Sequence, residues 1–290
     1  MIADRIVTLL PSATEIVCGL GLRDRLVGIS HECDYPENVS DLPRVTRSAI
    51  DSNASSRDID VAVRGQLESS QALYTIDVPM LISLRPNLLV TQALCDICAV
   101  SEQDVLRVLS ELPGHPELIN LEPMTLREVF DTIDLIGQAT GCVERAKRYV
   151  TSLDERVKKI RQAASTIPNR PRVGFLEWLD PPFNGGHWTP ELIEYAGGED
   201  CFGNKHQPSH TIDYATISDA DPDILIIGLC GFDENRARQE LESFKYQFDY
   251  EALRAVRNGR VYILDGNKYF SRPGPRLVEA VEFLFKLLHS

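Results

Sequence analysis

The sequence predicts an α/β protein of two lobes with mainly parallel sheets, joined by one long helix. Three observations carry this expectation. The chain has 290 residues, more than a single ordinary core accommodates and enough for two. Short apolar runs alternate with helical periodicity, the pattern of parallel strands joined by crossover helices. Two series of such runs are separated by a wholly helical segment.

The first series of runs is residues 6–10, 26–29, 88–91 and 118–120. The second is 172–176, 224–227 and 261–264. Between them, residues 125–140 and 142–165 read as helices punctuated by Gly141. In the second helix Val143, Ala146, Tyr149, Val150, Leu153 and Val157 recur at three- and four-residue steps, leaving charged residues on the other faces. At 1.5 Å per residue it spans roughly 35 Å, long enough to run from lobe to lobe. The prolines at 168 and 171 stop it. The expected boundaries are therefore 1–141 for the first lobe, 142–166 for the bridging helix and 167–290 for the second lobe. One stiff helix also predicts small hinge angles. Residues 48–70 are polar but carry a helical stretch at 56–67, an ordered excursion.

Composition narrows the function classes. Apolar residues at 43% and charged residues at 25% describe a soluble globular chain. A net charge of -13 repels phosphate backbones and anionic lipid, so neither nucleic acid nor a polybasic membrane contact is expected. No run is apolar enough to span a bilayer, and no secretory signal precedes the strand at residue 6. Seven cysteines, an odd number without scaffold spacing, agree with a reducing compartment. The expectation is a cytoplasmic protein.

In open α/β sheets, ligands sit outside the carboxyl ends of the strands. Following each run to its end collects the unusual residues. After 6–10 comes Ser12, read as a helix N-cap with Glu15 completing a capping box. After 26–29 come His31, Cys33 and Tyr35, and after 88–91 come Cys95 and Cys98. In the second lobe Glu177 and Trp178 follow 172–176, Cys230 and Phe232 follow 224–227, and Lys268, Tyr269, Phe270, Arg272 and Arg276 follow 261–264. If the lobes face each other, these residues line a cleft whose wall is aromatic, thiol-bearing and locally cationic. Such a wall suits a flat or bulky organic ligand. No metalloprotease, phosphate-loop or nucleophile-elbow motif occurs, and no carboxylate pair stands out, so binding without catalysis is expected.

The Cys95-x-x-Cys98 pair admits three readings. With Cys33 and Cys230 it makes a four-thiolate site for zinc or an iron–sulfur cluster. It makes a redox pair if a helix begins just beyond Cys98. Or these thiols are small packing residues. The rival to a small-molecule binder is therefore a cysteine-ligated metalloprotein with a redox or sensing role.

The strings Arg5-Ile6-Val7-Thr8-Leu9-Leu10-Pro11-Ser12-Ala13-Thr14-Glu15, Cys33-Asp34-Tyr35-Pro36, Leu84-Arg85-Pro86-Asn87-Leu88-Leu89, Gly197-Gly198-Glu199-Asp200 and Ser271-Arg272-Pro273-Gly274-Pro275-Arg276 resemble the substrate-binding proteins of iron-siderophore and cobalamin ABC importers. The segment 178–186, the C-x-x-C stretch and Cys230-Gly231-Phe232-Asp233 resemble a cytosol-predicted, cobalamin-binding-like subgroup. The resemblance implies two Rossmann-like lobes joined by a single helix, as in class III periplasmic binding proteins, and a corrinoid or related metal-chelate ligand such as cobalamin or a siderophore. It implies, by position, ligand-flanking roles for the aromatic residues Tyr35, Trp178, Phe232 and Tyr269, and the strand-end reading adds Ser12, Glu177, Phe270 and Arg272 as candidate ligand-binding residues. It also implies an ABC permease partner, docked through a surface glutamate on each lobe. The first lobe has no glutamate near Asp77-Val78-Pro79, whereas Glu191 or Glu194 fits on the second.

Overall fold

The computed structural model of the chain describes residues 2–69, 73–92 and 102–290. Two compact units emerge. One comprises Met1–Ala54, Val61–Pro123 and Arg127–Thr151, the other Ser55–Asp60, Met124–Leu126 and Ser152–Ser290. The helix Val143–Ser165 belongs to both, the division falling between Thr151 and Ser152.

The first unit carries β1 (Ile6–Thr8), β2 (Leu26–Ile29), β3 (Thr46–Ser48), β4 (Tyr74–Ile76), β5 (Leu88–Thr91) and β6 (Glu117–Asn120). β2, β1, β5 and β6 form a parallel sheet in that order, and β3 pairs antiparallel with β4. β1 and β5 are buried along their whole length. Strands covered on both faces read as continuous apolar runs, which is why they were legible in the sequence. Val7, Leu9, Leu81, Leu89, Val105 and Val108 meet in one core cluster. Burying one such side chain contributes about 1.5–3 kcal/mol. Asn87 fixes the start of β1: its Oδ1 accepts from the amides of Asp4 at 3.2 Å and Arg5 at 3.0 Å, and its Nδ2 donates to Asp4 at 2.7 Å. The Leu84-Arg85-Pro86-Asn87 string is thus a tie between strands β1 and β5.

The second unit carries β7 (Arg172–Leu179), β8 (Pro182–Asn184), β9 (Glu199–Asp200), β10 (Ile224–Ile227) and β11 (Val261–Ile263). The order is β11, β10, β7, β8, with β9 also on β7. All pairs are parallel except β7 with β8. Its core gathers Leu176, Ile217, Leu225, Ile227, Leu241 and Phe244. β7 runs three residues beyond the expected 172–176, because the antiparallel ladder Trp178↔Phe183 and Leu179↔Pro182 holds it extended. Glu177 and Trp178 therefore lie within a strand and not in the loop after it.

The helices expected at 56–67, 125–140 and 142–165 are observed at Ser56–Glu68, Leu126–Ala139 and Val143–Ser165. Of the predicted stripe, Ala146, Val150, Leu153 and Val157 are buried, while Val143 at the first turn is exposed. Within the first unit Arg145 donates to the Leu20 carbonyl at 2.6 Å, and within the second Arg156 forms a two-pronged pair with Glu282 at 2.7 and 2.8 Å. Among the described residues, no helix is long and apolar enough to cross a membrane.

Candidate functional site at the carboxyl edges of the sheets

In the first unit the carboxyl end of β1 leads into the helix Pro11–Gly19. The expected capping box does not form. Pro11 occupies the first helical turn, where its fixed φ and missing N–H suit a helix start. The N-cap position accordingly falls to Leu10, which has no side-chain cap, and Ser12 lies inside the helix. Ser12 is 1% exposed and its hydroxyl makes no hydrogen bond. Beside it runs a buried polar row: Thr8 Oγ1 is 2.6 Å from Thr14 Oγ1, which is 3.0 Å from Cys33 Sγ. Beyond β2, the Thr46 hydroxyl gathers three groups. It lies 2.7 Å from His31 Nδ1, accepts from the His31 amide at 3.0 Å and donates to Ser30 Oγ at 3.1 Å. Arg44 donates to the Ser30 and Cys33 carbonyls. Burial, reinforced by the Arg44 charge, lowers the His31 pKa and so disfavours the charged ring. Tyr35 stands 43% exposed at the end of this loop.

At the edge of the second unit Glu177 accepts from the Gly186 amide at 3.3 Å and from the Ser209 hydroxyl. Desolvation raises its pKa against the opposing pull of those two donors. Trp178 is half-buried, with its ring 5.2 Å from the Phe232 ring. Tyr269 stacks parallel on Phe283 at 5.8 Å, with the Lys268 ammonium 4.8 Å from its centroid. The Ser271 hydroxyl donates to the Gly266 carbonyl at 2.9 Å and accepts from the Gly231 amide at 3.4 Å, joining the loops after β10 and β11.

Several expected wall residues turn out to be internal. Phe270 is 3% exposed, 4.7 Å from Phe175, and its carbonyl accepts from the Trp188 indole at 2.8 Å. Phe232 belongs to the core cluster. Arg272 and Arg276 are each 7% exposed, so the edge is less cationic than the sequence suggested. Of the aromatic wall residues expected from the sequence, Tyr35, Trp178 and Tyr269 keep exposed surface. The sequence reading missed Thr46 and Arg44, which approach from β3 and the segment before it; neither carried a motif.

Glu191 does not present itself to a partner. It is 6% exposed, accepts from the Leu126 amide at 3.0 Å and from the Tyr195 hydroxyl at 2.6 Å, and so ties Met124–Leu126 into the second unit. Glu194 is more open and pairs with Lys205.

Of the four proposed metal ligands, Cys33 is buried beside Thr14 and Cys230 is exposed, while Cys95 and Cys98 lie outside the described residues. No group of three or more metal-ligating side chains is assembled among the described residues. Burial pushes the Cys18 and Cys201 thiols up to about 11, keeping them protonated. A surface cavity of about 510 Å3 beside the end of β6 is lined by Asn120, Glu122, Glu128, Asp131 and Asp134, a composition that repels anions.

The comparisons agree with this architecture. The family pattern of periplasmic binding proteins matches residues 6–267. The vitamin B12-binding protein of Vibrio cholerae is 23% identical over 283 residues, covering 97% of this chain and 87% of that protein. Among solved structures, one described as a possible iron-binding (periplasmic solute-binding) protein of Staphylococcus epidermidis aligns over 100% of both chains, with a TM-score of 0.76 at 23% identity. The periplasmic heme-binding protein RhuT of Roseiflexus sp. RS-1 aligns over 99% of this chain and 98% of its own, with a TM-score of 0.74 at 21% identity. At these identities the structural likeness speaks for the fold. Neither the described residues nor these comparisons support the zinc or iron–sulfur reading. The two mainly parallel sheets, the helix shared by both units and the match over nearly the whole length lead to one conclusion: the chain belongs to the periplasmic binding protein family.

Proposed function

We propose that the chain binds a corrinoid or related metal-chelate macrocycle, such as cobalamin or haem, and acts by binding without turnover. One observation carries the reading. Aromatic residues of both units, Tyr35 in the first and Trp178 and Tyr269 in the second, follow or end strands at the sheets' carboxyl edges and keep exposed surface. Flat aromatic faces suit a planar macrocycle. Relatives named for vitamin B12, heme and iron binding support the same ligand class. Glu177 would contribute to the polar rim, while the buried Ser12 and Arg272 and the rings of Phe232 and Phe270 would support the wall from behind. The burial of Glu191 favours a carrier or store over delivery to an ABC permease through that residue. An odd set of seven cysteines supports a cytoplasmic location, which cell fractionation would check.

Titration with hemin, cyanocobalamin and a ferric hydroxamate siderophore, followed by tryptophan fluorescence, tests the reading. At least one should bind, and Trp178→Ala should weaken it by about 1–3 kcal/mol, as for a central aromatic anchor. No binding of any of the three at about 100 μM would end the proposal.

A further inference from the structure

One ring expected to meet a ligand, the half-buried Trp178, is already partly met by the chain itself. The segment Ser55–Asp60 belongs to the second unit although the residues on both sides of it belong to the first. It starts the helix Ser56–Glu68. The Ser56 carbonyl accepts from the Trp178 indole Nε1 at 3.2 Å, so the only polar handle of that ring is occupied. Ile59 packs against the core cluster that includes Phe232, alongside Trp178. Arg57 reaches Asp180, two residues beyond Trp178, at 3.1 Å.

One buried carboxylate anchors the start of this segment. Glu240, on the helix Glu234–Phe244, accepts from both the Ser56 amide at 3.2 Å and the Ser56 hydroxyl at 2.6 Å. Glu240 is buried, and Arg236 pairs with its other oxygen at 2.9 Å. The Arg236 guanidinium lies in turn 5.1 Å from the centroid of Phe232. The latch and the aromatic pair thus share one network: Phe232, Arg236, Glu240, Ser56, Trp178. A charge-assisted hydrogen bond between buried groups is among the stronger side-chain contacts.

We propose that Ser55–Asp60 is a built-in cover over Trp178, latched by Glu240, and that it decides which ligands reach the indole. A ligand engages Trp178 only when Ser56 leaves Glu240. The inference builds on the reading of Trp178 as a ligand contact, but the cover itself is testable without any ligand. Because the closed form dominates, the apparent affinity falls by the fraction of molecules that are open. A large macrocycle that displaces the cover through many contacts is favoured over a small planar compound that cannot.

Acrylamide quenching of Trp178 tests the cover, read as the difference between the protein and its Trp178→Phe variant, with no ligand present. Trp178 should quench weakly. Ser56→Ala, which removes one of the two bonds, and Glu240→Ala, which removes both, should each raise the quenching constant, Glu240→Ala more. Thermal melts identify a variant that has merely unfolded, and Ser56→Ala carries the test if Glu240→Ala has. Losing one charge-assisted bond raises the open fraction about tenfold, so hemin or cyanocobalamin should bind about tenfold tighter to the latch variants. Trp178 quenching as freely as a small tryptophan analogue, or unaltered by either variant, overturns the cover. Higher quenching with unchanged affinity overturns its control over access. If neither macrocycle binds any variant, the ligand reading fails while the quenching result still decides whether the cover exists.

Discussion

Gly266 opens the short helix Gly266–Tyr269 that carries Tyr269 towards the edge of the second sheet. A methyl group added there would sit 2.1 Å from the Leu229 carbonyl oxygen and 2.6 Å from the Gly228 carbonyl carbon. That is more than about 1 Å inside ordinary carbon–oxygen contact. The obstacle is backbone, and Leu229 is fully buried, so no side-chain rotation relieves it. Gly266→Ala must push the loops after β10 and β11 apart. Overpacking of this kind costs about 1–3 kcal/mol or more. Moving Gly266 also threatens the Asp265 cap, whose Oδ1 accepts from the Lys268 amide at 2.7 Å and is worth about 1 kcal/mol. The expected loss is therefore about 3 kcal/mol. Both tryptophans, Trp178 and Trp188, lie in the second unit, so urea unfolding followed by their fluorescence reports on that unit. Gly259→Ala is the control: its φ of 65° strains any side chain, but no atom lies within 4 Å. It should cost only about 1–2 kcal/mol, the left-handed penalty alone. A Gly266→Ala loss below that of Gly259→Ala would refute the close-approach reasoning.

Three further outcomes are expected. Gly65 lies in the helix Ser56–Glu68 with open space around it, so Gly65→Ala should stabilise the protein by about 0.5–1 kcal/mol in a denaturation series. Glu177 has a raised folded-state pKa, so its contribution is fully present below the unfolded carboxylate range and is lost as pH rises through the folded value. Glu177→Gln should accordingly gain melting temperature relative to wild type as pH increases from acid to neutral, and parallel melting profiles would count against it. Glu191→Ala leaves the Leu126 amide and Tyr195 hydroxyl without their acceptor and should cost about 1.5–3 kcal/mol, measured by urea unfolding.

Much of the scaffold was legible because parallel strands buried on both faces must be apolar throughout. Leu88-Leu89-Val90-Thr91 and Ile224-Leu225-Ile226-Ile227 announce themselves for that reason. The short antiparallel elements β3, β4 and β8 were not legible: each has three residues, and β3, Thr46-Arg47-Ser48, is mostly exposed. Missing β8 misplaced Glu177 and Trp178 into a loop. Reading strand ends located the right edges but not the depth of each side chain. Phe270 and Arg272 belong to the same local string as Tyr269, yet both are buried while Tyr269 keeps exposed surface, the helix Gly266–Tyr269 ending between them. Nor was Glu240 legible as a partner of Ser56: it sits in an ordinary polar helix, and no local pattern announces a contact between residues 56 and 240.

That separation bears on how the protein is made. Ser56 leaves the ribosome early and its acceptor follows 184 residues later. At about 5–20 residues per second, roughly ten to forty seconds of synthesis elapse between the two. During that interval the nascent segment Ser55–Asp60 has no second unit to join, and Leu126 likewise waits for Glu191. The second unit is therefore completed only after translation has passed Glu240, by recruiting strands of chain already exposed. A stalled or truncated nascent chain ending before Glu240 should remain sensitive to protease near Ser56, and the full-length chain should not.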